Sequence, residues 1–167
     1  INDLRRGKPF PPFYYLLMHY WSGLFGDSEF SVRFPSAIFS TLTIALVYFL
    51  SRELFDRKTG LIAALLVAIS PYSIYYAQEA KMYSLLWCLG ITSFFLFLRF
   101  CKSNKTADWI LYCLVSLLNI YTLYTGFFFL FIQNIAFFCF YRRKNTGKWL
   151  LGQGIILFFF LPWGDSF

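Results

Sequence analysis

Ser70-Pro71-Tyr72-Ser73-Ile74-Tyr75-Tyr76-Ala77-Gln78-Glu79-Ala80-Lys81-Met82-Tyr83 sets one acidic–basic pair between two long uncharged runs. Thr59 to Gln78 before the pair, and Met82 to Leu98 after it, contain no Asp, Glu, Lys or Arg. Each run approaches the ~20 apolar residues that cross a bilayer as a helix. Glu79 and Lys81 therefore stand where two spans meet. Charge near a membrane is costly, which makes such a pair a candidate for function. Two residues apart, they would not face each other on a regular helix and need not pair.

Composition agrees with this reading. The 167 residues are 59% hydrophobic, 24% aromatic and only 14% charged, with mean hydropathy +0.58. Ordinary soluble domains carry about 25% charge. A polytopic membrane protein follows, and a disordered chain is excluded. The net charge of +7 does not indicate nucleic acid, because the basic residues fall in short groups between apolar runs. Anionic lipid headgroups are the simpler partner. Cys88, Cys101, Cys113 and Cys139 form no CxxC pair, and His19 is the sole histidine. Buried thiols are expected, not a metal site.

Working outward, residues 1–11 read as a loop, with Arg5, Arg6, Lys8 and a Pro9-Phe10-Pro11-Pro12 stretch. Residues 13–25 are aromatic and too short to span. An interfacial helix is expected, a core-packed helix in a loop cap being the alternative. Gly26-Asp27-Ser28-Glu29 breaks it, and Asp27 or Ser28 caps the next turn. Spans are expected over 34–51, 60–76 and 82–99. The uncharged stretch 109–141 fits a helical hairpin turning near 121–126, or one long span. A last apolar run, 149–163, is cut short.

Charge bias separates those alternatives. With a hairpin, the loops 52–58, 99–108 and 142–148 share one side and hold Arg52, Arg57, Lys58, Arg99, Lys102, Lys105, Arg142, Arg143, Lys144 and Lys148. The other side holds Arg5, Arg6, Lys8, Arg33 and Lys81. The positive-inside rule makes the first side cytoplasmic. The Arg142-Arg143-Lys144 cluster then serves as a topology anchor. The outer groups, with Asp3, Asp27, Glu29 and Glu79, would make a charged, aromatic-walled cap.

Such a cap suits a lipid-linked phosphate. Lysine and arginine bind phosphate oxygens and stabilise charge on a phosphate leaving group. A carboxylate beside them acts as a base or holds a divalent ion, and Glu79 is the best placed. Each assignment has a plainer reading. Glu79 and Lys81 could cap a span or snorkel into headgroups. Arg33 could be an interfacial anchor, and His19 a packing residue in an aromatic run.

Three segments carry a resemblance. Pro11-Pro12-Phe13-Tyr14-Tyr15-Leu16-Leu17-Met18-His19-Tyr20-Trp21 resembles an "HPPLYYLLLHLW" segment, and Leu24 to Ser36 is similar to "LFGDSEFALRLPS". Ser70 to Tyr83 resembles an "SPF…YSQEARMY" turn. These belong to the dolichyl-phosphate-mannose–protein mannosyltransferase-like family of GT-C fold. The match runs from about residue 8 to about residue 100, and more weakly to the end. It implies an inverting membrane glycosyltransferase (hexosyl or pentosyl) that moves a sugar from a polyprenyl-phosphate donor to a lipid, glycan or protein acceptor at the outer face. It implies donor-phosphate binding and site organisation by Glu79, Lys81 and Tyr83. Gln78, Arg33, His19 and Tyr14 join them as candidate substrate-binding residues. Lys81 replaces the usual arginine, keeping the charge and losing the bidentate fork. Gly126 stands where many relatives have the histidine of "YTHYF".

The expectation is an all-α, polytopic transmembrane bundle, partial and GT-C-like, with an interfacial helix in the first outer loop. Residues 1–33 form that loop, and 34–167 a region of about five spans. It is expected in the inner or plasma membrane, as a piece of a longer protein. The family's base lies in the first outer loop, upstream of the Pro-Pro segment, and is expected before Ile1; the role is not carried onto Asp3. A divalent cation is left open. The rival readings are a transporter or flippase of lipid-linked sugars, or a non-catalytic membrane subunit.

Overall fold

The computed structural model describes residues 11–141 and 146–164, without the side chains of 162–164. All regular structure among the described residues is helical. The expectations that rest on residues 1–10, and on Arg142-Arg143-Lys144, lie outside the described residues. The chain divides within one long helix into two compact units, 13–91 and 92–167 together with 1–12.

In the first unit, α1 (Phe13–Phe25) is the short helix expected. It stops at Gly26, whose φ of +77° is a left-handed C-terminal cap open to glycine. Helix α2 (Glu29–Leu54) starts earlier than expected, so Arg33 lies inside it. The Ser28 hydroxyl caps it by accepting from the Ser31 N–H at 3.2 Å. Glu29 in its first turn and Arg52 in its last suit the helix dipole. Its 26 residues are more than the bilayer core requires.

Pro35 sits inside α2 without ending it. Proline has no N–H, so the carbonyl four residues back, that of Ser31, loses its helical donor. The Trp21 indole Nε1–H of α1 donates to that carbonyl at 2.9 Å. Trp21 also packs on Phe25 and Phe34, with centroids 4.3 and 6.1 Å away. One ring thus satisfies the freed carbonyl and joins α1 to α2.

Helix α3 (Arg57–Ala68) begins at Asp56, whose Oδ1 accepts from the Thr59 N–H at 2.7 Å. It returns antiparallel to α2 with close backbone contact. A Cβ added at Gly60 would lie 3.0 Å from the Tyr48 carbonyl oxygen.

The span expected over 60–76 is not one straight helix. It breaks at Ser70-Pro71, and α4 (Pro71–Gln78) departs from α3 by 56°. Pro71 cannot donate to the preceding turn and disfavours helical geometry at Ser70, which is extended at φ −65°, ψ 123°. Pro71 then opens α4 at its first position, where no N–H is needed. Helix α5 (Tyr83–Ser103) comes next and contains the division between the units.

In the second unit, α6 (Thr106–Thr122) and α7 (Gly126–Ala136) form a hairpin across residues 123–125, within the turn expected from the sequence. A π-turn, Phe137–Tyr141, extends α7, and the last helix is α8 (Thr146–Gly164). The α5–α6 turn is made by Asn104 at φ 52°. Asp108 fastens it, accepting from Ser103 Oγ at 2.9 Å and pairing with Arg99 at 3.3 Å. The core centres on Trp149, which stacks on Phe137 and Tyr112 and meets Phe97. Cys88, Cys101 and Cys113 are buried as expected. Cys139 is not: the π-turn leaves it exposed.

Helices α2 and α5 are long and apolar enough to cross a membrane, and the bent α3–α4 pair makes a third if it counts as one span. Gly126–Tyr141 and Thr146–Leu161 are shorter apolar helices.

Candidate functional site

The site forms where α4 ends. Glu79, its C-terminal cap, is extended at φ −97°, ψ 135°. The Lys81 N–H donates to the Glu79 carbonyl at 2.9 Å, and the chain turns into α5 at Tyr83. This short turn corrects the expectation from helical spacing. Off the helix, residues two apart can converge, and Lys81 Nζ lies 2.8 Å from Glu79 Oε2. The other oxygen, Oε1, accepts from the Tyr75 hydroxyl at 2.7 Å. Tyr75 precedes Glu79 by one helical turn, so its ring reaches back to the carboxylate.

The electrostatics arise from these contacts. Lys81, then Tyr75, holds the Glu79 carboxyl below the usual carboxylate range, and the charge of Arg33 adds to this. Glu79 in turn raises the Lys81 ammonium above its ordinary value. Both groups therefore stay charged through the neutral range. Glu79 is the more enclosed, with 25% of its side chain exposed against 53% for Lys81. The arrangement is a cation presented to solvent and held from behind by a carboxylate. Glu79, ionised and engaged at both oxygens, is a poor free base.

Arg33 comes to the same end. Its Nη2 pairs with Glu29 Oε1 at 2.6 Å, one turn back on α2, and both side chains are exposed. Arg33 and Gln78 line an open hollow of about 230 Å³ with Phe30, Phe34, Ala37 and Ala77. Tyr83 faces Tyr76, with centroids 4.7 Å apart.

Of the seven candidates, Glu79, Lys81, Gln78, Arg33 and Tyr83 thus gather where α2 begins, α4 ends and α5 begins. Tyr14 and His19 are placed on α1. Tyr14 is buried beside Ser36, and burial pushes its hydroxyl up to about 12. His19 is exposed, and its ring meets Tyr20 edge-on. Sequence reasoning missed Tyr75, and with it Tyr72 and Tyr76, whose rings lie 4.5 Å apart. The signal was present in the i, i+4 spacings of Tyr72 with Tyr76 and of Tyr75 with Glu79. Among the described residues, no three His, Cys, Asp or Glu side chains come together as a donor set for a metal ion.

Residues 9–164 match the family described as dolichyl-phosphate-mannose-protein mannosyltransferase. The chain belongs to this family. It stands among membrane glycosyltransferases of the mannosyltransferase type, which use lipid-linked sugar donors. Its apolar helices fit an integral membrane protein. No curated protein and no solved structure matches the chain significantly. Lysine neutralises a phosphodiester without bidentate geometry, and a carboxylate fixes where the ammonium sits.

Proposed function

We propose that this protein transfers a sugar from a polyprenyl-phosphate carrier to an acceptor at the outer face of the membrane, with inversion at the anomeric carbon. Lys81 receives the donor phosphate and Arg33 adds positive potential. As the bond between the anomeric carbon and the phosphate oxygen breaks, negative charge grows on the departing polyprenyl phosphate. A preset ammonium stabilises that charge at little reorganisation cost. Glu79 and Tyr75 position the ammonium. The carrying observation is the Lys81–Glu79 pair, set outside the helix at the end of α4 and close to Arg33.

Charge placement supports the outer location. In the first unit, Arg33 and Lys81 stand at the opposite end of α2 from Arg52, Arg57 and Lys58. In the second, the Trp109 indole donates to the Lys148 carbonyl at 2.9 Å, which brings the 99–108 basic loop and Lys148 to one end. On this reading residues 1–33, the start of α2 among them, lie on the outer side, and 34–167 remain a region of about five spans in the plasma or inner membrane.

The test uses the full-length enzyme in membranes, supplied with a polyprenyl-phosphate sugar. Lys81→Met is expected to lower transfer by about 10²-fold or more, and Lys81→Arg to retain most of it. Unchanged transfer by a folded Lys81→Met enzyme overturns the assignment. A cysteine at position 79 should react with a membrane-impermeant maleimide added from outside; labelling only from the cytosolic side overturns the topology.

A further inference from the structure

Arg33 and Lys81 each come with a carboxylate, and the two pairs are held unequally. Glu79 is engaged at both oxygens, by the Lys81 ammonium at 2.8 Å and by the Tyr75 hydroxyl at 2.7 Å. Its side chain is only 25% exposed. Glu29 meets Arg33 through one oxygen at 2.6 Å, and the two side chains are 77% and 54% exposed. An exposed pair one helical turn apart holds weakly, because water and salt screen both charges. Glu29 also has a second stabiliser, since it stands in the first turn of α2, at the positive end of the helix dipole. Released from Arg33, it stays solvated and favourably placed. Lys81 is the fixed cation of the site, and Arg33 the cation able to change partner.

A phosphodiester makes use of that difference. The pairs balance in charge, and the incoming phosphate adds a negative one. Its non-bridging oxygens each accept hydrogen bonds. The Lys81 ammonium is a point charge and leaves the group free to turn about it. A guanidinium is a planar fork of N–H donors that grips two oxygens at once. Arg33 brings such a fork to the rim of the lysine turn: it lines one hollow with Gln78, and Gln78 is the residue before Glu79. The Arg33 charge is felt at Glu79. The backbone beneath Arg33 is held by the Trp21 bond to Ser31, so the exchange is a side-chain rotation.

We infer that Arg33 leaves Glu29 when the donor enters and closes its guanidinium on the phosphate beside Lys81. Glu29 is then an exchangeable counter-ion that competes with the phosphate for Arg33. The inference rests on the headgroup assignment above and adds to it a second phosphate contact and the residue that regulates it. Glu29 weakens donor binding a little, and it acts again after transfer. The released carrier phosphate is a monoester with more negative charge than the donor, so both cations hold it more tightly. A carboxylate ready to reclaim Arg33 speeds its departure.

The test is binding of farnesyl phosphate to the full-length protein in detergent at about 0.15 M salt, where charges more than ~8 Å apart are largely screened. Glu29→Gln should bind it about two- to fivefold tighter than wild type. The gain should vanish when Arg33→Gln is combined with it, as a coupled pair requires. Arg33→Lys keeps the charge and loses the fork, and should weaken binding about tenfold. A folded Arg33→Lys protein that binds as wild type does overturns the exchange. So does a Glu29→Gln protein with no gain, or a gain that survives without Arg33. Unchanged binding by Lys81→Met overturns the headgroup reading instead. Should the variants fail to fold, chemical labelling decides on the wild-type protein. Saturating farnesyl phosphate should lower phenylglyoxal labelling of Arg33 while raising carbodiimide labelling of Glu29. Any other pattern overturns the exchange.

Discussion

At position 126 one missing carbon decides how two helices meet. A Cβ there would lie 2.9 Å from the Asn119 carbonyl oxygen and equally close to the Ile120 Cα. Both are backbone atoms, so no rotamer can clear them. The sequence marked Gly126 as a departure from the histidine of its relatives; the structure supplies the packing that goes with the departure. Gly126→Ala should force α6 and α7 apart and cost about 1–3 kcal/mol, read as a lower thermal midpoint in detergent. An unchanged midpoint would mean the two helices have slack the close contact does not suggest. Glu79 and Lys81 show what a sequence does and does not reveal at this scale. Their isolation between uncharged runs was visible, because charge is countable. Their pairing was not, because it depends on the backbone leaving the helix after Gln78. The engagement of Tyr75 was open to a spacing argument.

Elements differ in how much of them composition reveals. Helices α1 and α5 came out close to the expected bounds, since loop residues or charge mark their ends. The α3–α4 region did not. Residues 60–76 carry no charge, and averaging over them hides a proline that breaks the helix. Pro35 shows the converse, a proline that α2 absorbs because Trp21 replaces the missing donor. The difference lies in the neighbours, which no count of prolines contains. Pro71→Ala restores the N–H and relieves Ser70, so α3 and α4 should straighten toward one helix. Spin labels at the exposed positions 62 and 74 would then move apart toward about 18 Å, the rise of 12 helical residues. A separation equal to wild type would show that packing against α2, not proline, holds the bend.

At the scale of the whole molecule, the membrane class was legible from composition, because lipid tolerates only backbones that satisfy themselves. Inside the second unit lies a feature that no periodicity revealed. Gln133 donates to Ser93 Oγ at 2.8 Å and accepts from the Tyr112 hydroxyl at 3.1 Å. Gln153 donates to that same hydroxyl, Asn134 donates to Gln153, and the Trp149 indole donates to Asn134. The chain of bonds links α5, α6, α7 and α8. Its members are far apart in sequence, and each looks like a stray polar residue in an apolar run. Such bonds fix register where apolar contacts alone leave it loose. Gln133→Leu keeps the volume and removes two bonds. The expected loss is about 1–2 kcal/mol, read by thermal unfolding in detergent. No loss would mean that ring packing around Trp149 suffices.

The indole of Trp21 has one hydrogen to give, and it gives it to a helix that its own helix does not belong to. Helices α1 and α2 consequently share a hinge pin rather than a flexible tether. Arg33 lies on the turn that this pin holds, so the place of its charge is set by where a single aromatic ring comes to rest.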